Sequence, residues 1–104
     1  MSKIALLAKM VAQEGKRDEA VSKLQAMIAH VASEPGTEVY VLHVSPTEPE
    51  VIWFYELYAD SDALAAHGGS DKMKEIGLAL RDVMVARPEI TMLTPLAGKG
   101  VTLT

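Results

Sequence analysis

A chain of 104 residues, 49% apolar and 23% charged, has the size and balance of one ordinary globular domain and not of a disordered segment. Its net charge of −4, without any Lys/Arg run, argues against nucleic acid as a partner, and no apolar run approaches the ~20 residues that cross a bilayer. Zero cysteines exclude disulfides, thiolate nucleophiles, iron–sulfur clusters and Cys-based zinc sites, and with no signal peptide in MSKIALLAKMVA the expected address is the cytoplasm.

Lys3–Val11 is apolar with the length of a strand, and Gln13-Glu14-Gly15-Lys16 turns out of it. From Arg17 the period changes. Ala20, Val21, Leu24, Met27, Ile28 and Val31 recur at three- and four-residue steps, which predicts an amphipathic helix with Asp18 and Glu19 in its first turn, where the helix dipole favours anions. Glu34-Pro35-Gly36 ends it. Thr37–Ser45 reads as a second strand, Pro46-Thr47-Glu48-Pro49 as a hairpin loop, and Glu50–Tyr58 as a third strand.

That third strand is apolar on both alternating sets: Val51, Trp53, Tyr55 and Leu57 on one, Ile52, Phe54, Glu56 and Tyr58 on the other. Such a strand needs cover on both sides. Asp60 then reads as an N-cap, and a short helix carries His67 to a Gly-Gly stop. A further helix is expected from about Ser70 to Val85, with Met73, Ile76, Leu80, Val83 and Met84 on one face. Arg87-Pro88 breaks it, Glu89–Leu96 is the last strand, and residues 97–104 form a tail.

The order β-α-β-β-α-β is the ferredoxin-like, split-βαβ arrangement of the α+β class, a four-stranded antiparallel sheet with helices on one face, here as a single domain over residues 1–104. The other face would be apolar and bare, so an isologous homodimer, sheet against sheet, is expected, with a small-molecule cavity between the facing sheets. The loop between Ser45 and Glu50 leaves the hairpin register open, and with it whether His43 and Glu56 share a face.

Glu56, the only acid within the apolar run Val51–Tyr58, and His67, at the end of the helix that follows, are the candidate catalytic pair. Each also has a structural reading, Glu56 as a paired acid and His67 as a cation at the negative end of a helix dipole. Trp53, Tyr40, Tyr58 and His43 are candidate substrate-binding residues. The aromatics are first of all core and interface mass, and His43 reads equally as an edge or interface residue. Lys9 fits either a solvated edge or a contact to an anionic substrate. Six methionines spread over strands and helices read as gap-fillers, and three scattered histidines give no metal spacing.

EGKRDEAVSKL, ASEPGTEVYVL, FYELYADSDALAAH and PEITMLTPL together resemble the antibiotic biosynthesis monooxygenase superfamily of dimeric α+β barrels, from about Lys3 to Leu96. Glu56, Tyr58, Ala63-Leu64 and His67 match that family's acid, aromatic and helix-end His. The resemblance implies a cofactor-independent monooxygenase acting with O2 on a small phenolic, quinol-type or polyketide-like substrate, or else an isomerase or tautomerase of a small carbonyl signal. A non-catalytic ligand-binding or stress-response dimer on the same scaffold is the third reading. Where haem-degrading members carry Asn, Trp and a proximal His, this chain has Ala8, His67 and Gly77, so haem is not expected, and with no glycine-rich phosphate loop and no thiolate neither is another cofactor. Lys72 stands where many quinol-type members have a second His.

Overall fold

The fold follows the predicted order, and the short helix to His67 and the helix after it form as two separate elements. In the computed structural model, which describes residues 2–103, the elements are β1 (Ile4–Val11), α1 (Arg17–Val31), β2 (Thr37–Val44), β3 (Val51–Tyr58), α2 (Ser61–Gly68), α3 (Asp71–Leu80) and β4 (Glu89–Leu93). The strands form one sheet in the order β2-β3-β1-β4, every pair antiparallel, which is the ferredoxin-like α+β topology. Among the described residues no helix is long and apolar enough to cross a membrane.

Burial explains which set of each strand faces the helices. Leu6, Ala8 and Met10 of β1 and Ile52 and Phe54 of β3 share a core with Ala20, Leu24, Met27 and Val31 of α1 and Ile76 and Leu80 of α3. Register fixes the rest: Glu56 stands opposite Leu6 on one side and Tyr40 on the other, so all three point to the helical face. His43 stands opposite Trp53, and Trp53 opposite Lys9, so these three occupy the outer face. His43 and Glu56 therefore lie on opposite sides of the sheet. On that outer face Val41 and Leu93 are exposed, Trp53 and Tyr55 are half-buried, and the Lys9 ammonium sits 5.7 Å from the Trp53 ring centroid.

Capping sets the helix starts. Asp60 accepts the Ala63 N–H at 2.8 Å, and Ser70 accepts the Met73 N–H at 3.2 Å, so α3 begins almost where α2 stops. The expected continuation of α3 to Val85 does not form. The chain leaves helical geometry after Leu80 because residues 83–85 are drawn to the end of β1, where Gln13 N–H bonds Val83 O, Val85 N–H bonds Val11 O and Met84 bridges Ala12. β4 is likewise shorter than expected, ending at Leu93.

The turn from α1 into β2 is packed against α2 more tightly than a side chain allows. A Cβ on Gly36 would overlap that of Ala63 and lie 3.3 Å from its Cα, and the Gly36 carbonyl accepts the Ala59 N–H at 2.9 Å. Gly36→Ala should push the turn and α2 apart at a cost of about 1–3 kcal/mol. The expected readout is a melting temperature several degrees lower; an unchanged value would show that the two segments separate freely.

Candidate active site

The turn at Gly36 and the start of β2 carry the residues that meet His67. Glu34 is fixed by its own turn: its N–H bonds Val31 O, its carbonyl accepts the Thr37 N–H, and its Oε1 accepts the Thr37 hydroxyl at 2.8 Å. The same Oε1 lies 2.9 Å from Nδ1 of His67, and Oε2 lies 3.1 Å from Nε2 of His30. Burial pushes the Glu34 carboxyl up. The hydrogen bonds from His67 and Thr37 and the two nearby imidazoles outweigh it and hold the group below the ordinary carboxylate range. Glu34 is thus an anion that can only accept, so Nδ1 of His67 carries the proton, and in the neutral ring Nε2 is left with its lone pair. His67 is 3% exposed, and its Nε2 is buried with no partner among the described residues.

His67 stands between two tyrosines, its ring centroid 5.2 Å from Tyr40 and 5.4 Å from Tyr58. Tyr58 donates its hydroxyl to Oε1 of Glu56, two residues away on the same face of β3. Burial raises the Glu56 pKa, and the Tyr58 bond and the His67 charge only partly reverse this, so the carboxyl is held toward its neutral form. Burial, followed by the charges of Glu56 and Glu34, also keeps the Tyr40 phenol protonated far above its ordinary range, and burial together with the Glu56 bond does the same for Tyr58.

Glu56, Tyr40 and His67 line one wall of a cavity of about 710 Å³ between the sheet and the helices. This is within the usual size of a small-molecule site. Leu6, Ala8, Phe54, Leu24, Met27 and Ile76 are among the apolar residues of the remaining wall. The cavity is on the helical side of one chain and not, as expected from sequence, on the outer face where two sheets would meet. A shallower depression of about 300 Å³ on the outer face is lined by His43, Trp53 and Tyr55.

Of the six residues singled out in the sequence, the structure brings His67, Glu56, Tyr40 and Tyr58 together and leaves Trp53 and His43 on the other side of the sheet. Glu56 is bonded to Tyr58; the carboxylate that orients His67 is Glu34. In the sequence Glu34 reads as part of the helix stop. The i,i+4 spacing of His30 and Glu34 was visible, but the link to His67 spans 33 positions. Lys72 ion-pairs with Glu75 at 3.1 Å and does not line the cavity, while Gly77 does.

The antibiotic biosynthesis monooxygenase family model matches residues 3–77, and the chain belongs to that family. It is similar to a protein of Caulobacter crescentus described as a candidate antibiotic biosynthesis monooxygenase, with 37% identity over 92% of each chain and a TM-score of 0.87. A Chloroflexus aurantiacus protein described in the same way shares 25% identity, with 97% of this chain and 100% of that one covered, at a TM-score of 0.81. Rv0793 of Mycobacterium tuberculosis also shares 25% identity, covering 93% and 98%, at a TM-score of 0.84. No curated protein matches.

The two acids should respond to pH in opposite directions. A raised carboxyl costs the fold nothing below the ordinary carboxylate range and weakens it as pH climbs through the raised value. Glu56→Gln should therefore melt a few degrees higher than the parent at pH 8 and lose that advantage near pH 4. A lowered carboxyl contributes stability above the ordinary range and loses it as pH falls through the lowered value, so Glu34→Gln should melt lower at pH 8, with the gap closing in acid. Melting curves of both variants at the two pH values check the pair, and equal offsets at both would contradict it.

Proposed function

We propose that the protein is a cofactor-independent monooxygenase that oxidises a small aromatic substrate, phenolic, quinol-type or polyketide-like, with O2, and that His67 is its general base. The observation that carries this reading is the unpartnered Nε2 of His67, held by an anionic Glu34 at the wall of an apolar cavity. An acid that accepts from Nδ1–H fixes the tautomer and stabilises the imidazolium once the ring has taken a proton.

For a substrate with an activated ring CH2 the steps balance without any added redox group. Nε2 removes one proton. The resonance-stabilised carbanion passes an electron to O2, and recombination of the two radicals forms a C–O bond. The imidazolium returns its proton to give a hydroperoxide. His67 then takes the second C–H proton as the O–O bond breaks, and the neutral Glu56 carboxyl protonates the departing oxygen as water. Proton transfer from the imidazolium restores Glu56. Overall CH2 and O2 become C=O and H2O. Tyr40, kept protonated, is a donor for the oxygen that becomes negative, and the apolar walls exclude water that would quench the anion.

The outer face supports a homodimer as part of the same reading. Exposed Val41 and Leu93 beside half-buried Trp53 and Tyr55 make a surface suited to a second copy. Trp53 and His43, expected as substrate contacts, then belong to that interface. Sedimentation should give a dimer at micromolar concentration, with more than ~1,200 Å² buried in total; a soluble monomer would contradict it.

Oxygen uptake with a panel of hydroquinones and anthrones, no flavin, haem or metal added, tests the chemistry. The parent should consume O2, and His67→Ala should lose roughly 10²- to 10⁴-fold in turnover. Glu56→Gln should slow turnover and leave the assembly unchanged. Solvent deuterium entering a substrate under nitrogen, with no uptake in air, would replace the oxygenase with the isomerase reading.

A further inference from the structure

The cavity is chemically polarised along its length. Leu6 of β1 stands opposite Glu56, which puts Glu56, Tyr40 and His67 at one end; Val85 is tied to Val11 and Glu89 stands opposite Lys9, which puts the segment carrying Arg81, Val85, Arg87 and Pro88 at the other. Between them β1 contributes Leu6, Ala8 and Met10, a run of roughly 13 Å of extended chain. The far end is open. Leu78, Val85 and Ile90, all lining residues, are 65%, 63% and 53% exposed, so this is the mouth.

Two guanidinium groups at the mouth of an apolar cavity, in a chain of net charge −4, need an explanation. No ion pair among the described residues involves Arg81 or Arg87. Glu89, the nearest acid in sequence to Arg87, stands opposite Lys9 in the β1–β4 register and so belongs to the outer face, while Ile90 beside it lines the cavity. Arg17, by contrast, is spent on the fold, its Nη1 donating to the carbonyls of Ser45 and Glu48 at 3.0 Å. Both arginines line the same cavity, and the backbone between them is held: residues 83–85 are tied to the end of β1, and Pro88 follows Arg87 directly.

We infer that Arg81 and Arg87 are the anion-recognition pair of this site and that its substrate is an aromatic acid. The ring system fills the apolar run, the reacting carbon reaches His67, and a carboxylate remains at the mouth between the guanidinium groups. Guanidinium is suited to this, being permanently charged and able to grip a carboxylate with two parallel N–H donors. The acidic end of the cavity disfavours the reverse orientation, because an anion there would meet Glu34 behind His67. The pair thereby sets which end of the substrate enters first. This rests on the cavity being the substrate site, as proposed above.

Binding of naphthalene-2-carboxylate and its uncharged analogue naphthalene-2-carboxamide, followed by fluorescence at low salt, tests the assignment without turnover. The carboxylate should bind the parent at least about tenfold more tightly than the amide, as a charge-assisted contact implies. That preference should fall below about threefold in the Arg81→Gln/Arg87→Gln double variant and in high salt, with the amide unaffected. In His67→Ala the preference should persist. Equal binding of the two probes, no binding of either, or a preference that survives the double substitution would overturn the inference, as would its loss in His67→Ala alone. Oxygen uptake with neutral hydroquinones stands apart from these outcomes, so a failed oxygenase reading and a failed anion site are told apart.

Discussion

The hydrogen bond between Glu34 and His67 is the constraint on which the site depends. Without it a fully buried imidazole would have two unpartnered nitrogens and no reason to prefer either tautomer. With it, one nitrogen is satisfied and the other is committed as an acceptor. The bond joins the α1–β2 turn to the end of α2, two segments that meet only because Gly36 lets backbone approach Ala63. Fold and chemistry are therefore coupled at one point, and the smallest residue in the turn matters as much as the charged one.

Around that bond the protein separates two proton-carrying groups by environment. Glu34 collects donors from Thr37 and His67 and sits beside His30, so its charge is favoured. Glu56 has a single donor, Tyr58, in a more apolar surrounding, so its charge is disfavoured. Two carboxyls, one bonded to His67 and the other coupled to it by charge, thus take opposite roles, one as an anion and one as a reservoir of a proton. Neither role depends on residue type alone.

Much of this was legible in the sequence. The double apolar pattern of β3, the period of α1, the Asp60 cap and the position of His67 at a helix end all follow from local rules, and they fix the strand order once the βαββαβ pattern is seen. The face shared by Glu56 and Tyr58 follows from a strand period of two. What local rules missed is set by partners distant in sequence. The hairpin register that pairs His43 with Trp53, and so sends His43 outward, depends on a loop whose parity composition does not fix. α3 stops at Leu80 because β1 captures residues 83–85, though Val83 and Met84 continue its apolar stripe. Glu34 beside Pro35-Gly36 looks like punctuation, and only its tertiary partner makes it part of a site.

The most direct test of the central claim is the protonation state of the two nitrogens of His67, read by 15N-detected NMR of the imidazole in the parent and in Glu34→Gln. In the parent the neutral form of the ring should carry its proton on Nδ1 with a bare Nε2, and that fixed tautomer should be lost when the Glu34 charge is removed. A proton found on Nε2 of the neutral ring, or a tautomer indifferent to Glu34, would contradict it.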